Sequence, residues 1–87
     1  MIVSRATRQF WRLYAALPAD VQTEAKRAFR TFQVDPSYPS LQFKKLEGEE
    51  YLYSARIGLR HRALAVKKAN RVTWYWIGSH ADYDRLV

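Results

Sequence analysis

Arg56, Arg60, His61 and Arg62 lie close together in the chain, and a second group, Gly78-Ser79-His80-Ala81-Asp82-Tyr83, lies near its C-terminus. These residues carry the side chains best suited to chemistry. Guanidiniums hold phosphate oxygens and stabilise the charge that grows on a phosphorane-like transition state. An imidazole titrates near neutrality, so His80 can serve as general acid or base. Tyr83 can donate a proton, stack on a base, or pack the C-terminus down, and packing is the simplest of the three. Together the two groups form a kit for handling a phosphodiester. Taken singly, each has a plainer explanation: solvent-facing arginines decorate any basic sheet, and a lone histidine is commonly an exposed loop residue.

The whole chain supports an anionic partner. Its 87 residues carry a net charge of +7, and 15 of them are Lys or Arg, with arginine in the majority. Such a field attracts polyanions, and arginine suits bidentate phosphate contacts better than lysine does. Nucleic acid ranks ahead of a membrane surface, because no segment joins a basic face to an apolar one of sufficient length. No apolar run approaches the roughly 20 residues that cross a bilayer. The first residues lack the apolar core of a secretory signal, so a soluble, cytoplasmic protein is expected. There is no cysteine and there are two histidines, which gives no basis for a disulfide or a protein-built transition-metal site. No phosphate-binding loop, dinucleotide fingerprint, zinc or calcium motif occurs, and no cofactor is expected.

A single domain over residues 1–87 must position these groups. Ile2 and Val3 are β-formers and predict a short first strand. Phe10, Leu13, Tyr14 and Leu17 recur at the spacing of one apolar helical stripe, which predicts a helix from Ala6 to Leu17. Leu17-Pro18-Ala19-Asp20 breaks it, with Asp20 as cap of a second helix from Val21 to about Phe32. Asp35-Pro-Ser-Tyr-Pro-Ser40 is an ordered loop, Leu41 to Leu46 alternates weakly, and Glu47-Gly-Glu-Glu50 is a turn. Three strand-like runs follow: Tyr51 to Ile57, Arg60 to Lys67 and Arg71 to Ile77. The short breaks between them predict an antiparallel meander. The order βααβββ describes a two-layer α+β fold, a helical hairpin packed on an antiparallel sheet.

Two expectations about facing follow from the alternation of side chains along a strand. With a two-residue turn at Gly58-Leu59, Arg56 shares a side with His61, while Arg60 and Arg62 share the other. Trp74 and Trp76, two apart, fall on one face and read as core beneath the helices rather than as a platform for stacking bases.

Phe43-Lys-Lys-Leu46, Leu52-Tyr-Ser-Ala-Arg-Ile-Gly-Leu-Arg-His-Arg-Ala-Leu64 and Trp74-Tyr-Trp-Ile-Gly-Ser-His80, in that order and spacing, resemble the RelE/ParE superfamily of bacterial type II toxins. Ser54 to Arg62 looks similar to the corresponding hairpin of the YoeB-like branch. The resemblance implies a RelE-like fold and a ribosome-dependent mRNA endonuclease that promotes attack of a ribose 2′-hydroxyl on the adjacent phosphate without metal. Position by position, it implies that Arg62 stabilises the scissile phosphate, Arg56 contacts RNA and His80 is the general acid. Lys44 and Lys45 lie where members vary between a carboxylate base and basic residues, and with Arg60 and His61 they are RNA-binding candidates. Lys44 stands where the YoeB-like branch keeps a carboxylate, which leaves Glu47 as the nearest substitute base. That branch also has a tyrosine adjacent to its histidine, whereas Tyr83 comes three residues after His80.

The resemblance also implies partners. These are an acidic, partly disordered antitoxin that covers the basic face, and the ribosome with its mRNA. The free chain is expected to be a monomer, and the antitoxin complex a hetero-oligomer. Two other functions fit the same resemblance: a ParE-like inhibitor of DNA gyrase that does no chemistry, and a family member that keeps only antitoxin binding.

Overall fold

The computed structural model describes residues 2–87. Strand β1 (Val3–Ala6) leads into α1 (Arg8–Ala15) and α2 (Ala19–Val34), followed by a single 3-10 turn at Pro39–Leu41. Then come β2 (Lys44–Lys45), β3 (Leu52–Ile57), β4 (His61–Lys68), β5 (Arg71–Ser79) and a closing helix α3 (His80–Leu86). The five strands form one mixed sheet in the order β1-β5-β4-β3-β2. Only β1, joined to β5, runs parallel to its neighbour among the described residues; the other pairs are antiparallel. The expected α+β fold with a helical hairpin on a sheet is present, with two additions, the short edge strand β2 and α3.

Local sequence accounts for the boundaries. Ala6 belongs to β1 rather than to the first helix. Thr7 is the N-cap of α1, its Oγ1 accepting from the Phe10 N–H at 3.1 Å, which satisfies one of the donors left free at a helix start. The second helix begins earlier than Asp20 would suggest: Pro18 takes the cap position and Asp20 sits in the first turn, where its carboxylate still favours the positive end of the helix dipole. Gln22 ties the hairpin together, its amide donating to the Tyr14 carbonyl at 3.0 Å.

The helices cover one face of the sheet. Phe10, Ala25 and Phe32 from the helices meet Ala55, Ile57, Ala63, Ala65, Val72 and Trp74 from the strands. Trp74 is the hub. Its ring lies 5.1 Å from Phe29, 5.3 Å from Phe32 and 5.9 Å from Phe43, centroid to centroid. Aromatic pairs in this range add to the area they bury. Its indole N–H donates to Ser4 Oγ at 2.9 Å, so the one polar atom of the ring is satisfied and β1 is fastened to the sheet.

Both expectations about facing are corrected. Ile57 pairs with His61, so the loop is Gly58-Leu59-Arg60, one residue longer than expected, and Arg56 pairs with Arg62. Gly58 takes a positive φ of 61° at the start of that loop, a backbone state that costs glycine little. One extra loop residue inverts which side chains share a face: Arg56 and Arg62 are together, His61 is on the helix side, and Arg60 is in the loop. The two tryptophans are also divided. Ala65 pairs with Trp74 but Leu64 with Trp76, so Tyr75 is an extra, bulged residue. Trp74 is buried in the core and Trp76 lies on the opposite, outer face.

Candidate active site

The outer face is built by the same register. Arg56 on β3 and Arg62 on β4 stand opposite each other. Lys44 pairs with Ser54, two residues before Arg56, so it lies on this face as well. The helix α3 closes one side. Its N-cap, Ser79, accepts from the Asp82 N–H at 3.1 Å, and the His80 N–H donates to the Arg60 carbonyl at 2.7 Å. That bond joins the start of α3 to the β3–β4 loop and places the two chemically promising segments side by side.

Tyr83 is the buried residue of α3. Its packing role is met, and its ring also carries the Arg62 guanidinium, with Cζ 5.4 Å from the ring centroid, a cation–π geometry. Arg62 Nη2 donates to Gln42 Oε1 at a long 3.4 Å. Its Nε is buried without a hydrogen-bond partner. The ion pairs among the described residues involve Glu24, Asp82 and Asp84, and none neutralises Arg62. A cation held by a ring and one neutral amide keeps its charge for an incoming anion, and a buried donor left unpaired costs roughly 1–3 kcal/mol. Arg56 is held differently: its Nε donates to the Gly58 carbonyl at 2.9 Å.

His80 is the first residue of α3 and about half exposed, its Nε2 3.4 Å from Asp84 Oδ1 one turn on. Its ring centroid is 5.9 Å from that of Tyr83. Arg62, Tyr83 and His80 therefore form a continuous row, with Lys44 on the same face; Arg56 joins that face by strand register and also lines a groove of about 890 Å³ with Glu24, Ala28 and Leu59. The remaining sequence candidates are elsewhere. Lys45 pairs with Tyr53 and points to the helix side like His61, and Arg60 is exposed in its loop. Glu47 lies on an exposed turn and lines a neighbouring groove of about 420 Å³ with Tyr75 and Trp76. No ion pair among the described residues joins Glu47 to Arg62.

Gln42 and Asp84 escaped the sequence reading. Gln42 has φ 44° and ψ 46°, a left-handed conformation that costs a non-glycine residue roughly 1–2 kcal/mol. No local pattern announces it. Asp84 could have been found, since four residues on a helix bring two side chains onto one face, but the short helix itself was not anticipated. Tyr75 is pushed above the ordinary tyrosine range by burial, then by the nearby Glu49 carboxylate and Tyr83.

Solved structures share this architecture. The RelB–RelE antitoxin–toxin complex from Methanococcus jannaschii matches with a TM-score of 0.75 at 17% identity, over 94% of this chain and 98% of that one. A YoeB/ParE toxin from Agrobacterium tumefaciens matches at 0.68 and 18% identity, over 91% and 99%. The intact Escherichia coli RelBE toxin–antitoxin complex matches at 0.68 and 14%, over 90% and 95%. At such identities the likeness establishes the fold. Among curated proteins, none matches the sequence. The family model of the ParE-like toxin domain matches residues 19–85, from the start of α2 through the Arg62–Tyr83 contact and most of α3. With more than half of its length matched, the chain belongs to the ParE-like toxin domain family, within the RelE/ParE superfamily.

Proposed function

We propose that the chain is the toxin of a type II toxin–antitoxin pair and cleaves mRNA on the ribosome. The observation that carries this reading is the unneutralised Arg62 on the outer face, stacked on Tyr83 and one ring away from His80. Arg62 and Arg56 bind the scissile phosphate. The ribose 2′-oxygen attacks phosphorus and the bond to the 5′-oxygen breaks, leaving a 2′,3′-cyclic phosphate and a free 5′-hydroxyl. Arg62 stabilises the charge on the phosphorane oxygens, an interaction stronger in the transition state than before it. His80 protonates the departing 5′-oxygen, and Asp84 orients its ring. Lys44, the candidate on the same face, places its positive charge beside the attacking 2′-oxygen, and the 2′ proton passes to water. The reaction runs in the cytoplasm, where an acidic antitoxin covers the basic outer face and silences it; the likeness to RelB–RelE antitoxin–toxin complexes supports an antitoxin partner.

Primer extension on a defined mRNA, in a purified translation system with ribosomes present or omitted, tests the proposal. Cleavage that requires ribosomes and disappears in Arg62→Ala is the expected result. Intact mRNA at every dose would overturn it. Because no carboxylate stands against Arg62, the gyrase-inhibitor reading is the second one, and inhibition of DNA supercoiling with intact mRNA would establish it instead.

A further inference from the structure

The bulge at Tyr75 turns Trp76 onto the outer face, beside the proposed phosphate site. Arg62 pairs with Gly78 and Leu64 with Trp76, so the indole begins two residues, about 6–7 Å, along the sheet from Arg62. It also leans back toward the arginine. A Cβ on Gly78 would fall 2.6 Å from Trp76 Cζ2, so the ring lies directly over the glycine and only a residue without a side chain permits it. Beyond the indole is the groove of about 420 Å³, walled by Leu52, Leu64, Tyr75 and Trp76 and closed on one side by the turn carrying Glu47 and Glu49. That volume is in the range of small-molecule sites. An aromatic and aliphatic slot this close to a phosphate-binding cation has the dimensions of a nucleotide, with phosphate at one end and base at the other.

The polar groups decide which base. A carboxylate is acceptor-only, and neither Glu47 nor Glu49 is held in an ion pair among the described residues. Guanine alone among the four RNA bases offers two adjacent N–H donors on its Watson–Crick edge, which match the two oxygens of one carboxylate. Uracil has a single donor between two acceptors, and adenine and cytosine each set an acceptor beside their amino group. A carboxylate would meet those acceptors without a proton to share. The acidic turn also repels a phosphate backbone, so it favours the base end of a nucleotide over the phosphate end.

We propose that this groove is a base-reading pocket for guanine, with Trp76 as the stacking surface and the carboxylates of Glu47 and Glu49 as the acceptors. It deepens the RNA-cleavage reading by supplying a sequence preference next to the scissile phosphate, and it rests on that reading for its biological use. The test is binding of the four nucleoside 3′-monophosphates to the intact chain, followed through the Trp76 indole N–H resonance, which Trp76→Phe identifies by its disappearance. Guanosine 3′-monophosphate should shift that resonance and bind roughly 10- to 100-fold more tightly than the other three, the discrimination of one bidentate contact. Glu47→Gln/Glu49→Gln should erase the preference while inorganic phosphate binding persists.

Equal binding of the four nucleotides, no shift at Trp76, or a preference that survives the double substitution would overturn the pocket. The two readings fail separately. If mRNA is cleaved but no nucleotide moves Trp76, the pocket is wrong and cleavage stands. Guanine-selective binding without cleavage supports the pocket and removes the nuclease.

Discussion

The two faces of the sheet are made from the same strands and behave as opposites. The core beneath the helices is closed: Trp74, Phe32 and Ile57 are 2%, 1% and 1% exposed, and the indole N–H of Trp74 has its partner in Ser4. The outer side is left incomplete. Arg62 keeps its charge, its Nε has no partner, and a half-exposed histidine stands at the rim. Every polar atom satisfied makes a core stable; a cation left without a counter-charge makes a site. Trp74 and Trp76 put the contrast within one strand, since a single bulged residue assigns one to packing and the other to the open face.

The contrast can be broken most forcefully at the groups proposed to be catalytic. His80→Ala should lower ribosome-dependent cleavage by about 10²–10⁴-fold, and Arg62→Ala by about 10²–10³-fold. In both variants the unfolding midpoint should stay near that of the parent, because the outer face contributes little to the core. A large drop in thermal stability with either substitution would show that the two faces are not separable.

The converse experiment is on the other side of the sheet. Trp74→Ala should cost about 3–5 kcal/mol in urea unfolding, while Trp76→Ala should cost less than half of that, its ring being only partly buried. Equal costs would mean that the outer tryptophan is core after all. At a finer scale, Ser79→Ala removes the cap of α3 and should cost about 1 kcal/mol. Its effect on cleavage should exceed its effect on stability, since that helix start carries His80.

The smallest effect concerns Tyr75. Its pKa is raised first by burial and then by Glu49, so Glu49→Gln should lower it only in part, read as tyrosinate absorbance against pH. The sign for stability follows from proton uptake. In the unfolded chain Tyr75 ionises near its ordinary value of about 10, while the folded chain still holds the proton. Its contribution is therefore full below that pH and lost as pH rises through the folded value. Tyr75→Phe should flatten this part of the alkaline decline.

Much of this is legible in the sequence. The stripe of Phe10, Leu13 and Tyr14 announces α1, the breaks after Ile57 and Lys67 announce a meander, and the clustering of Arg56, Arg62 and His80 points to phosphate chemistry. These signals are local: side-chain periodicity, turn-forming residues and charge are properties of neighbours in the chain. The helix α3 was missed because seven residues carry too little periodicity to stand out from a loop, although Ser79 with Asp82 is a recognisable cap.

By itself the sequence determined an α+β domain with a strongly basic character and named the arginines and the histidine suited to phosphate chemistry. Only the tertiary structure decided which of them meet. A loop of three residues rather than two put Arg56 beside Arg62 and sent His61 to the helix side. One bulge at Tyr75 parted the tryptophans, and a left-handed turn brought Gln42 to Arg62. Strand alternation has a period of two, so a single inserted residue exchanges the faces of everything that follows it. That choice is set by how the whole sheet packs against its helices, a sum over distant contacts that no short stretch of sequence contains.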